Sequence, residues 1–109
     1  MQIIDGAGVF AAKQGGAAHW AEQLRVPDLS VGTYSIPAGG TDDQSPHTED
    51  EIYAVISGRA VIEAGSGKTA VGPGSVIFVP AGEPHRFTGI TEDLALLVVF
   101  GPAEGSRES

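Results

Sequence analysis

The chain has 109 residues, of which 41% are hydrophobic, no cysteine, and a formal net charge of −8. That length allows one buried core rather than two, and the apolar share excludes a disordered chain. Fourteen acids stand against six bases with no basic cluster, which excludes a nucleic acid or an anionic membrane surface as partner, and the missing cysteines exclude disulfides and thiolate chemistry.

The opening MQIIDGAGVF lacks the basic start and continuous apolar stretch of a secretory signal. The longest apolar run, LALLVVF, falls far short of a membrane span, so a cytoplasmic setting is expected. A short strand is predicted at residues 8–12, and AEQLRVPDL predicts a helical turn before Pro27. VGTYSI is strand-like and stops at PAGG; the polar TDDQSPHTED then leads into EIYAVISG.

From Glu51 onward, strand and turn signals alternate at short intervals. IYAVIS breaks at Ser57-Gly58, read as a hairpin corner, and RAVIEA resumes after it. GSGK makes the next turn, followed by TAV, the PG turn at 73–74, SVIFVP, HRFTGI, a turn at TED, and LALLVVF. About eight short strands at this rhythm predict an all-β sandwich, jelly roll or barrel. Residues 1–35 read as an N-terminal extension, 36–100 as the barrel core and 101–109 as a frayed polar tail, together one domain.

Side chains two apart on a strand share a face. An extended 45–55 places Ser45, His47, Glu49, Glu51, Tyr53 and Val55 together, although the opposite face is also apolar at its end and parity alone does not choose the interior. Taken inward, His47 and Glu51 converge, and a buried carboxylate must be protonated, paired or bound to a cation. With His85 from another strand, two imidazoles and a carboxylate make three ligands for a divalent first-row metal.

The spacing around these residues resembles the cupin superfamily, with its two motifs G-x5-H-x-H-x3-4-E-x6-G and G-x5-P-x-G-x2-H-x3-N. The first aligns on Gly39, Ser45, His47, Glu51 and Gly58, the second on Gly74, Pro80, Gly82, His85 and Gly89. Two positions depart from the pattern: Ser45 stands where the family has its first metal-binding histidine, and Gly89 where it often has Asn. The resemblance implies a six- to eight-stranded jelly-roll barrel around one divalent ion (Fe, Mn, Ni, Cu or Zn). His47, Glu51 and His85 would be its ligands, Ser45 a direct or water-mediated fourth, and Glu49 a weaker substitute for Glu51. Dioxygenase chemistry on a small organic substrate is the activity implied first, with an isomerase, a lyase or a non-catalytic binding barrel as alternatives, and a homodimer as the assembly.

Tyr53, Tyr34 and above all Phe87, two residues past His85, are expected to wall a substrate pocket. Trp20 is expected in the core or at a dimer contact, and His19 beside it is a poor ligand candidate. Asp42, Asp43 and Asp50 read as a solvated acidic rim, and Arg86 as an outward surface charge.

Overall fold

The computed structural model describes residues 1–65 and 67–108. Among the described residues six strands form the fold: β1 (His19–Val26), β2 (Leu29–Ile36), β3 (Asp50–Ala64), β4 (Gly67–Val71), β5 (Val76–Val79) and β6 (His85–Gly101). All pairings are antiparallel, in the order β1-β2-β6-β3-β4, with β5 attached to β3. The all-β jelly-roll expectation holds; the strand list behind it needs correction.

The helical turn predicted before Pro27 is β1. The modest helix propensity of AEQL yields to a ladder with β2, from His19↔Ser35 to Val26↔Leu29, interrupted by a bulge between Glu22 and Leu24. Residues 8–12 form no strand; the segment lies across β2, with the Gly8 and Ala11 amides donating to Thr33 Oγ1 (2.7 Å) and Ser35 Oγ (3.1 Å). The GSGK turn contains Ser66, which lies outside the described residues.

The predicted corners at Ser57-Gly58 and TED are not turns. Two strands are continuous there, and β3 pairs with β6 along nearly its whole length through register shifts between Val55 and Val61. Gly58 has φ +92°, and a Cβ at that position would lie 2.1 Å from the Asp93 carbonyl oxygen, so only glycine lets the two backbones approach this closely. The bulge changes the inward parity. Residues 51, 53 and 55 are buried before it, and 60 and 62 after it; along β6 the interior passes from 85 and 87 to 90, 94, 96, 98 and 100.

This bend positions the site. In the ladder, His85 pairs with Ala64, thirteen positions from Glu51 along β3. On a flat sheet that offset is about 40 Å. Here the two side chains are 3.1 Å apart. Curvature and closure account for the difference, and the core inside the curve is Ile36, Tyr53, Val55, Phe87, Leu94, Leu96, Val98 and Phe100.

Candidate functional site

A cavity of about 290 Å³ opens between β1, β2, β3, β6, the loop at 41–48 and the C-terminal turns. Its walls are mainly aromatic and aliphatic: Trp20, Tyr34, Phe100 and Val98, with Glu51 and Tyr53 from β3. Trp20 crosses over Gly32, where a Cβ would lie 2.2 Å from its ring, and meets Tyr34 and Phe100 edge to face with ring centroids 6.5 and 6.1 Å away. An apolar pocket with a few convergent polar groups has the form of a small-molecule site.

The polar groups are ordered by their partners. His85 Nδ1 lies 2.8 Å from the Glu83 carbonyl, a pure acceptor, so that nitrogen carries the hydrogen. In the neutral ring, Nε2 therefore presents a lone pair, 2.9 Å from the Tyr53 hydroxyl and 3.1 Å from Glu51 Oε1. Burial disfavours a charge on His85, but the Glu51 and Glu83 contacts outweigh it and raise its pKa. Burial, with Glu51 adding to it, pushes the Tyr53 phenol far up, and burial together with the hydrogen bond to Asp42 does the same to Tyr34; both stay protonated.

His47 lies across the cavity, its ring centroid 6.3 Å from that of His85 and 4.7 Å from Phe100. Its Nε2 meets Gln44 Oε1 at 3.2 Å, and its Nδ1 meets Glu104 Oε2 at 3.3 Å. Burial raises the Glu104 pKa against the opposing pull of His47. Of the expected ligand set, Glu51 and His85 are in contact and His47 faces the same space through Gln44. Among the described residues, no three His, Cys, Asp or Glu side chains close into a ligand group.

Ser45 sits exposed on the cavity rim. Glu49, read as a substitute ligand, is buried but engaged elsewhere: Oε1 accepts from the Gly105 amide at 2.7 Å, and Oε2 from the Arg107 amide at 3.0 Å and from the Thr48 hydroxyl. The tail expected to fray thus forms turns pinned to Glu49, and it brings Glu104 into the cavity wall. Tyr34 and Tyr53 line the cavity as expected. Phe87 does not; it packs behind Tyr53 at 5.0 Å, ring edge to face, and Phe100 takes the wall position. His19 is exposed on β1, and Arg86 faces outward with its guanidinium 3.8 Å from Glu63.

Asp42 corrects the reading of the acidic rim. It is buried and accepts four hydrogen bonds: the Tyr34 hydroxyl (2.7 Å) and Gln44 amide (3.3 Å) on Oδ1, and Gln44 Nε2 (2.9 Å) and the Phe87 amide (2.8 Å) on Oδ2. Asp42, Gln44 and Glu104 are the site residues that sequence reading missed. Gln44 adjoins a motif position, which is a usable signal; nothing in the sequence around Glu104 points to the cavity.

The donor chemistry passes one test for a divalent metal. Glu51 Oε1 is a buried carboxylate oxygen with no hydrogen-bond donor of acceptable geometry, beside an imidazole lone pair. Two facing lone pairs out of water need a proton or a cation between them. His85 and Glu51 fit that role, with His47 on the opposite wall.

The comparisons agree with this fold. A family model described as a cupin domain matches residues 32–100. An uncharacterized protein of Streptomyces coelicolor, SCO3923, is 54% identical over 81 residues, covering 74% of this chain and 77% of that one. The crystal structure of TT1209 from Thermus thermophilus superposes with a TM-score of 0.79 at 24% identity, covering 94% of this chain and 99% of the other. The DMSP lyase DddQ from Ruegeria pomeroyi superposes with a TM-score of 0.74 at 22% identity, over 100% of this chain and 57% of that one. With a family match over more than half its length, two motifs in register and a jelly-roll barrel closed around the second-motif histidine, the chain belongs to the cupin superfamily.

Proposed function

We propose that this cupin binds a small organic molecule in the aromatic cavity and holds one divalent metal ion at its polar end, through His85 and Glu51 with His47 as third ligand. The observation that supports it most directly is Glu51 Oε1, buried, without a donor and 3.1 Å from His85 Nε2. A carboxylate and neutral imidazoles suit Fe(II), Mn(II), Ni(II), Cu(II) or Zn(II). When bound, such an ion supplies Lewis-acid or redox chemistry, and oxygenase-type turnover is the reaction class the family resemblance puts first. The chain's own residues orient and dehydrate the substrate: Trp20, Tyr34 and Phe100 bury its apolar body, while the Tyr53 hydroxyl, between Gln44 Oε1 and His85 Nε2, orders the polar end.

Metal analysis and calorimetric titration of the purified protein test the reading. Near-stoichiometric metal, a melting temperature raised by at least one divalent ion, and loss of both in His85→Ala are expected. Stoichiometric metal in His85→Ala would remove His85 from the site.

A second reading, a non-catalytic binding barrel, is favoured by one observation. Both His47 ring nitrogens already face oxygen partners, Nε2 hydrogen-bonded to Gln44 Oε1 and Nδ1 lying 3.3 Å from the Glu104 carboxylate. Oxygen uptake by iron-loaded protein with a panel of diols and phenols separates the two readings, since a single turned-over substrate decides for the enzyme.

A further inference from the structure

We propose that Gln44, rather than Ser45, supplies the donor that replaces the missing motif histidine; this rests on the metal-site reading above. Ser45 aligns with the lost ligand yet stays on the exposed rim. Gln44, one residue earlier, sends its carboxamide inward, where Oε1 lies 3.2 Å from His47 Nε2 and 3.1 Å from the Tyr53 hydroxyl. The hydroxyl is 2.9 Å from His85 Nε2, which is 3.1 Å from Glu51 Oε1. Five donor atoms from five side chains thus follow one another without a gap. Adjacent ligands in an octahedral site with bonds of about 2.1 Å are themselves about 3.0 Å apart.

Hydrogen bonds give similar spacings, so the geometric pointer to a ligand is the buried Glu51 Oε1 without a partner, together with the inward-held oxygen of Gln44. The His85 hydrogen is committed on Nδ1 to the Glu83 carbonyl. Tyr53 has one hydroxyl proton, which cannot go to both Gln44 Oε1 and His85 Nε2. The amide oxygen, the carboxylate oxygen and the neutral imidazole nitrogen are all acceptors. With the His47 Nε2 hydrogen placed on Gln44 Oε1 and the Tyr53 hydrogen on His85 Nε2, Glu51 Oε1 is the one acceptor left without a partner, and it can be met by a second proton on His85 or by a cation. One cation attracts all of these acceptors at once.

The orientation of the amide is built in. Asp42, buried, accepts from Gln44 Nε2 at 2.9 Å and from its backbone amide at 3.3 Å, so the nitrogen end is held at the carboxylate and the oxygen end faces the cavity. Two further donors, the Tyr34 hydroxyl and the Phe87 amide, fix Asp42 itself. Asp42 acts here as a positioning residue and Gln44 as the ligand.

The test uses full-length protein with Co²⁺ as probe, followed by calorimetry and by the visible ligand-field spectrum, which reports coordination independently of any turnover. Gln44→Leu and Gln44→Ala are each compared with Ser45→Ala, after the melting temperature of the metal-free variants shows that they fold. Affinity is expected to fall about tenfold or more in both Gln44 variants, with an altered spectrum, and to stay unchanged in Ser45→Ala. Gln44→Glu, which keeps an oxygen toward the cavity but sets a second carboxylate against Asp42, is the second readout and is expected to bind Co²⁺ more tightly than Gln44→Leu while being less stable without metal. Wild-type affinity and spectrum in a folded Gln44→Leu would overturn the assignment while leaving the metal site standing. A wild-type protein that binds neither Co²⁺ nor any other divalent ion would overturn both.

Discussion

Glu49 and Asp42 show how a side chain's role depends on partners far along the chain. Burial pushes the Glu49 carboxyl up, but the Thr48 hydroxyl, the Gly105 and Arg107 amides and the nearby His47 outweigh it, and its pKa is lowered. A depressed folded-state pKa gives stability that is complete above the ordinary glutamate range, about 4.3, and is lost as pH falls through the folded value. Wild type is therefore expected to weaken steeply below about pH 4. Glu49→Gln should already be about 1–3 kcal/mol less stable at neutral pH and show a flatter acid limb, as read by urea unfolding across pH. For Asp42→Asn the amide nitrogen must face either the Tyr34 and Gln44 backbone donors or the Gln44 and Phe87 donors, so a loss of about 3 kcal/mol is expected in the same assay. Neither role was legible in the sequence. The amide donors to Glu49 lie 56 and 58 residues away, and an acid among acids reads as solvated unless the donors it meets are known.

For the strands, local chemistry was read correctly and connectivity was not. Gly58 and the TED segment carry the residue types of turns, and a bulge in a continuous strand uses the same types for the same backbone reasons. What distinguishes them is the partner strand, which sequence reading does not see. AEQL in β1 is the converse case, a helix-compatible stretch held extended by its neighbour. The consequence at Gly58 is testable: Gly58→Ala places a methyl on the Asp93 carbonyl at positive φ, and a loss of about 3 kcal/mol or more is expected in denaturant unfolding. Because the bend also brings Glu51 to His85, this variant is expected to lose metal affinity even where it remains folded.

The architecture was legible because motif spacing records distances that barrel closure requires. Glu51 and His85 meet only if both flanking strands, with their bends, have the right lengths, and the two motifs mark those lengths. The cavity wall was only partly legible: Phe87 does share the inward face of His85, but parity does not tell which inward side chain reaches the cavity, and Phe87 packs behind Tyr53. At the same scale, Ile52, Ile56, Val76 and Phe78 form an exposed apolar face, with Ile52 directly opposite Phe78 in the β3–β5 ladder. If the expected homodimer uses this face, light scattering should give twice the chain mass for wild type and the single mass for Phe78→Glu. A wild-type monomer would remove that expectation.

The middle position in the strand order belongs to β6, which is flanked by β2 and β3. During synthesis on a ribosome the segment that forms it emerges after all its neighbours. Until then β2 and β3, adjacent in the nascent chain, have nothing between them, and the edges that later pair with β6 stay open. Such a polypeptide cannot settle piecemeal from its first residue onward. Its folding should be slow and nearly all-or-none once β6 has emerged, which makes the interval before that the moment of greatest risk of aggregation.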